Sequence, residues 1–118
     1  MEAGCFRVEL NVVTTRKGND CVVAVSGEVD IYTSPQLKAV LTGADVHGCA
    51  RIVLDLDGVG FIDSSGLGVL VGALRRSREA GVDLMLVSSQ ASFARILRIT
   101  GLDSVFILHS SVAEALGA

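Results

Sequence analysis

Between residues 51 and 87 the hydrophobic period of this chain changes twice. Residues 51–56 read Arg-Ile-Val-Leu-Asp-Leu, a short apolar, β-branched run of the kind a sheet buries. From Ser64 to about Ala80, Leu67, Leu70, Val71, Leu74 and Arg78 fall on one side at about 100° per residue, the four apolar ones toward a core, and Gly81 ends the run. Residues 82–87, Val-Asp-Leu-Met-Leu-Val, return to a strand. Strand, long helix and strand in that order are the ingredients of a parallel crossover, so the chain is read as α/β around this unit.

The flanking segments extend the pattern. Residues 6–13 alternate apolar and polar and predict a half-buried strand; residues 14–20 predict a polar loop turning at Gly18-Asn19-Asp20. Residues 21–26 predict the antiparallel partner, ended by Gly27-Glu28-Val29-Asp30. Thr33-Ser34-Pro35 starts a helix, with Ser34 able to cap it and Pro35 suited to its first turn; Leu37, Val40 and Leu41 give it an apolar face. Residues 42–50 read as a loop, 57–63 as a turn region and 88–90 as a turn. A helix over 92–100 closed by Gly101, a short strand over 105–108 and a helix over 111–116 complete the order ββαβαβαβα. The expectation is a single domain, residues 1–118, with a mixed, mostly parallel five-stranded sheet and about four helices.

Composition removes several function classes. Half of the 118 residues are hydrophobic and only 4% are aromatic, so Val, Leu, Ile and Ala must fill the core. Net charge is −3 and the ten Lys and Arg are scattered, which leaves no basic stripe for nucleic acid. Arg75, Arg76 and Arg78 do cluster, and read as a solvated helix face first and a partner contact second. The longest apolar run, residues 66–74, is far short of a membrane span, and the first twenty residues lack a secretory pattern. The expected protein is soluble and cytoplasmic, with no membrane association. Cys5, Cys21 and Cys49 are widely spaced without a CxxC and read as buried or incidental thiols.

Residues 61–70, Phe-Ile-Asp-Ser-Ser-Gly-Leu-Gly-Val-Leu, carry the chemistry. They follow a buried strand and open the long helix, where backbone N–H groups lack intrahelical partners, so Asp63 or Ser64 is a natural N-cap. Ser65, Val69, Gly72, Ala73 and Arg76 project away from the core, with Ser64, Gly68 and Arg75 along one border. That outer face is small and uncharged for two turns. Two glycines inside a helix cost about 1 kcal/mol each relative to alanine, so another element of the chain or a partner's backbone must approach there. The partner is the reading adopted.

With Gly27-Glu28-Val29-Asp30, Asp55-Leu56, the 61–68 segment and the distal Gly101-Leu102, the sequence resembles the STAS family over residues 6–116, and within it the bacterial anti-sigma factor antagonists. The resemblance implies the STAS fold and a protein without enzymatic activity or cofactor. It implies that the unphosphorylated form binds an anti-sigma factor, often a serine kinase of the histidine-kinase-like ATPase fold, and so frees a sigma factor. The kinase modifies the first serine of the Asp-Ser-Ser motif, here Ser64, and a PP2C-type phosphatase reverses it. Ser65 is the secondary acceptor, Asp30 a residue close to the modified serine, and Asp63 its acidic neighbour. Together with the outer helix face, these give an expected docking set of Asp30, Asp63, Ser64, Ser65, Gly68, Val69 and Gly72. The alternative is a STAS subunit of a stressosome-like or lipid-transport complex acting as an interaction module.

Rival chemistries are weaker. A serine hydrolase wants Gly two residues before its nucleophile, but Ile62 stands there, and His47 and His109 read as surface residues. Gly66, Gly68 and Gly72 miss the dinucleotide fingerprint in spacing and lie inside the helix. Asp55, Asp57 and Asp63 read as turn and cap residues, with no metal site.

Overall fold

The computed structural model describes residues 9–43 and 46–117. Strands β1 (Asn11–Lys17), β2 (Asp20–Val29), β3 (Arg51–Ile62), β4 (Asp83–Val87) and β5 (Leu108–His109) form one sheet in the order of the chain. The β1–β2 pair is antiparallel; every later pairing is parallel. Helices α1 (Ser34–Leu41), α2 (Ser64–Ala80), α3 (Ala91–Thr100) and α4 (Val112–Leu116) follow β2, β3, β4 and β5. Among the described residues the expected order, with five strands and four helices, is the observed one.

Successive right-handed crossovers that always step the same way place their helices on one face. Accordingly, Leu37 and Leu41 of α1, Leu70 and Leu74 of α2, and Phe93 and Leu97 of α3 share a core with Cys21, Val23, Val25, Ile52, Leu54, Leu56, Leu84 and Leu86. The alternate strand residues Val22, Val53, Met85 and Val87 point to the other face, where Ala115, Val112 and Leu116 of α4 cover them. The period-two alternation of three neighbouring strands therefore serves two layers at once.

Several boundaries differ from the sequence expectation. β1 continues through Thr14, Thr15, Arg16 and Lys17 instead of ending at residue 13, because a tight turn at Gly18-Asn19 pairs Lys17 directly with Asp20. Residues 6–8 of the expected strand and Cys5 lie outside the described residues. The largest change is in β3: residues 57–62, expected as a turn, extend the strand along β2 through Ser26↔Gly58, Gly27↔Val59, Glu28↔Phe61 and Val29↔Ile62. Register shifts between Ala24 and Ser26 and between Gly27 and Glu28 accommodate the glycines and keep Val59 and Ile62 facing the core. Conversely, the strand expected over 105–108 shrinks to two residues after a 3-10 turn over Leu102–Ser104. Ser34 is the first helical residue of α1 and Thr33 its cap position.

The reading of the cysteines as thiols is overturned for two of them. Cys21 and Cys49 form a disulfide, with Cα atoms 6.0 Å apart. The parallel start of β2 and β3, with the Ala50 amide donating to the Asn19 carbonyl at 2.8 Å, brings their distant positions together. His109 is also more enclosed than expected: its side chain is 15% exposed and its Nδ1 lies 3.1 Å from Glu114 Oε1.

Candidate functional site

The C-terminal ends of β2 and β3 are adjacent. Val29 is in register with Ile62, and the Asp63 amide donates to the Val29 carbonyl at 3.1 Å. Asp30 and Asp63 therefore leave the sheet side by side, at the edge where parallel α/β sheets present functional groups. Each carboxylate organises the turn that follows it. Asp30 Oδ1 accepts from the amides of Tyr32 and Thr33 at 2.9 and 3.0 Å. The Thr33 hydroxyl accepts from the Asp30 amide and donates to the Glu28 carbonyl. Asp63 Oδ1 accepts from the amides of Ser65 and Gly66 at 2.9 and 3.1 Å.

The second pair decides between two candidates for the cap of α2. Asp63 takes that role, so the Ser64 hydroxyl is released from it. Ser64 is exposed, and its side chain makes no hydrogen bond among the described residues. It stands at the positive end of a seventeen-residue helix, next in the chain to the capping carboxylate of Asp63.

The glycines of α2 have different reasons. A Cβ at Gly66 would stand 2.6 Å from both Ile62 Cγ1 and Val29 Cγ1, so the close approach of the helix to the two strand ends requires glycine. At Gly72 a Cβ would come within 3.3 Å of Arg76 Nη1, whose guanidinium lies back along the helix. Gly68 meets nothing within 4 Å and is exposed. Both ways of filling the small-residue face therefore bear on it. The chain itself occupies the Gly72 turn and covers Ala73, which is 5% exposed where an outward position was expected. The Gly68 turn is open. Ser64, Gly68 and Arg75 are all exposed, as their shared border position implied. Val69 is half-buried and packs partly against the core while lining a groove with Ser65, Gly68 and Gly72.

Sequence reasoning missed two side chains at this edge, Ile31 and Tyr32, which are 64% and 74% exposed in the turn after Asp30; Phe61 of β3, within the segment already singled out, is 51% exposed. Large apolar residues in a turn where polar ones are usual were the available signal.

β3 holds the site in place through its far side as well. Asp57 Oδ1 accepts from the Ser89 amide and hydroxyl, both at 2.8 Å, and Gln90 Nε2 donates to the carbonyls of Asp57 and Val59 at 2.8 and 2.9 Å. The Ser89 amide, and then its hydroxyl, hold the Asp57 carboxyl below its ordinary value. Asp55 accepts from the Asp57 amide at 3.0 Å. The acidic residues of this segment thus serve turns and caps, and the described residues hold no cluster of three metal-ligating side chains. His47 lies in the loop before β3, at the opposite end of the sheet from Ser64, and His109 is engaged with Glu114. Neither is placed as a general base for Ser64.

The fold and this edge define a STAS domain: the profile of that family matches residues 11–115, and the chain belongs to it. Among curated relatives, the anti-sigma-B factor antagonist of Staphylococcus aureus (strain NCTC 8325 / PS 47) is 36% identical over 80% of this chain and 88% of its own length. That of Listeria monocytogenes serovar 1/2a (strain ATCC BAA-679 / EGD-e) is 34% identical over 80% and 83%. A crystal structure of an anti-sigma factor antagonist from Mycobacterium paratuberculosis superposes with a TM-score of 0.85 at 27% identity, covering 92% of each chain. Among the described residues no helix is long and apolar enough to cross a membrane.

Proposed function

We propose that this protein is an anti-sigma factor antagonist whose docking to the anti-sigma factor is switched off by phosphorylation of Ser64. The observation that carries the reading is the division of labour at the start of α2: Asp63 caps the helix and Ser64 is left exposed and unengaged. The docking surface comprises Asp30, Asp63, Ser64, Ser65, Gly68, Val69 and Gly72, together with exposed Ile31, Tyr32 and Phe61. The chain itself performs no catalysis. The anti-sigma factor, a serine kinase of the histidine-kinase-like ATPase fold, brings the nucleotide, and a PP2C-type phosphatase restores the unmodified serine.

The energetics suit a switch. A phosphate adds about −1.5 to −2 charge. At a helix N-terminus it is favoured by about 0.3–1 kcal/mol, so the fold survives. A partner that desolvates it without pairing it loses on the order of 3–5 kcal/mol. At about 1.4 kcal/mol per decade, that is a loss of two to three orders of magnitude in affinity. Mass spectrometry after incubation with the kinase and ATP is expected to find one phosphate on Ser64 and none in Ser64→Ala. Phosphate persisting in that variant would remove Ser64 as the acceptor.

A further inference from the structure

The three arginines near the end of α2 do not form one solvated face. Arg75 is exposed, and Arg78 donates through Nη2 to the Val105 carbonyl at 3.1 Å. Arg76 is half-buried and folds back over Gly72. Its Nη2 is shielded from solvent and has no hydrogen-bond partner. The same guanidinium closes one end of a groove of about 220 Å³ between α1 and α2, lined by Lys38, Ser65, Gly68, Val69, Gly72 and Arg76. Lys38, exposed on α1, is the second cation of the groove, and no acidic side chain lines it.

A chain of net charge −3 has thus set two cations into a small cleft without giving them a counterion among the described residues. A guanidinium nitrogen held from water without an acceptor is unfavourable until an anion arrives. The cleft is smaller than the usual small-molecule pocket but has room for one carboxylate side chain.

We propose that the Lys38–Arg76 groove receives an acidic side chain of the docked anti-sigma factor, as a charge-reading subsite separate from the Ser64 switch. This rests on the reading of α2 as the docking surface and names a feature of the partner. The surface is then bipolar. Asp63 makes the Ser64 end negative, and Lys38 with Arg76 makes the other end positive, two to three helical turns away at about 5.4 Å per turn. A partner carrying an acidic group at that separation is fixed in register, and one lacking it is rejected. Gly72 is part of the device, since it gives the Arg76 guanidinium room to lie in the cleft.

Calorimetry of the full chain with the purified anti-sigma factor of the same organism, at low and high salt, tests this. Arg76→Gln is expected to weaken binding about tenfold and exposed Lys38→Gln about threefold, both flattening the salt dependence, with Arg76→Lys recovering part of the loss. Lys38→Gln should leave the melting temperature unchanged. If both glutamine variants bind within about twofold of wild type while Ser64→Asp still abolishes binding, the subsite is disproved and the docking surface stands. If wild type itself does not bind, the surface and the subsite fall together. A loss in Arg76→Gln matched by a lower melting temperature, with Lys38→Gln silent, overturns the subsite in favour of a structural arginine. A wild-type dimer in sedimentation that Lys38→Gln dissolves assigns the groove to a second copy of this chain and overturns it equally.

Discussion

A single oxygen separates the roles of Asp63 and Ser64. Both can cap a helix, but Asp63 Oδ1 reaches two amides at once, and the hydroxyl of the serine behind it is left out of the cap. Ser64→Asp should therefore abolish anti-sigma binding in a pull-down while moving the melting temperature by no more than a few degrees. The glycines give a sharper contrast. Gly68→Ala adds a methyl group to open space and gains helix propensity, so it should stabilise the fold by about 0.5–1 kcal/mol in urea denaturation. It should weaken docking all the same if the proposed surface is right, because the added methyl group would stand where the partner's backbone is proposed to approach. Gly66→Ala gains the same propensity but drives a methyl group against Ile62 and Val29, and overpacking of this kind costs about 1–3 kcal/mol. Equal effects of the two substitutions would contradict the close approach at Gly66.

Among the elements, β3 sets the position of Ser64. Its last six residues are held on one side by β2 and on the other by Ser89 and Gln90, so the helix start is braced from both flanks. The Asp57 carboxyl is depressed in the folded state, below its ordinary value of 3.8. Its contribution is complete above that value and lost as pH falls through the folded one. Asp57→Asn should accordingly lose stability near neutral pH and show less further loss on acidification than wild type, read from melting curves across that range. Faster amide exchange over residues 57–62 in the same variant would mark the loosened brace. β5 shows the opposite behaviour. The Leu86 amide reaches Ile107 and the Ser88 amide reaches His109, after which the chain turns into α4 and pairing ends.

At the scale of the whole molecule, three helices cover one face of the sheet and the short α4 covers the other. That helix is fastened by Arg51, which bonds Asp20 at 2.9 Å and also donates to the carbonyls of Ala115 and Leu116. The Asp20 hydrogen bond raises Arg51 above its usual value, and Arg51 in turn lowers Asp20. One side chain thus joins the β1–β2 hairpin, β3 and the C-terminal helix. Arg51→Ala should lower the melting temperature by several degrees and expose Val53 and Met85, detected as increased binding of a hydrophobic dye. The proposed phosphorylation of Ser64 should persist in that variant below its melting point, because α4 covers the opposite face of the sheet from α2.

The sequence by itself determined the order of elements, the parallel crossovers, the ends of α2 and the segment with the exposed hydroxyl. Those features follow from local periodicity and from caps such as Asp63 and Gly81, which act within a few residues. Tertiary structure alone decided the rest. The pairing that makes residues 57–62 a strand depends on β2, whose partner residues lie 32 to 33 positions earlier in the chain. The meeting of Cys21 with Cys49, the burial of Ala73 in the main core, and the turn of Arg76 into a groove with Lys38 depend on contacts no local period encodes. Ile31 and Tyr32 became legible only once the fold showed how exposed they are, at 64% and 74%. Local chemistry names the residues able to act; the packing of distant segments decides which of them remain free to do so.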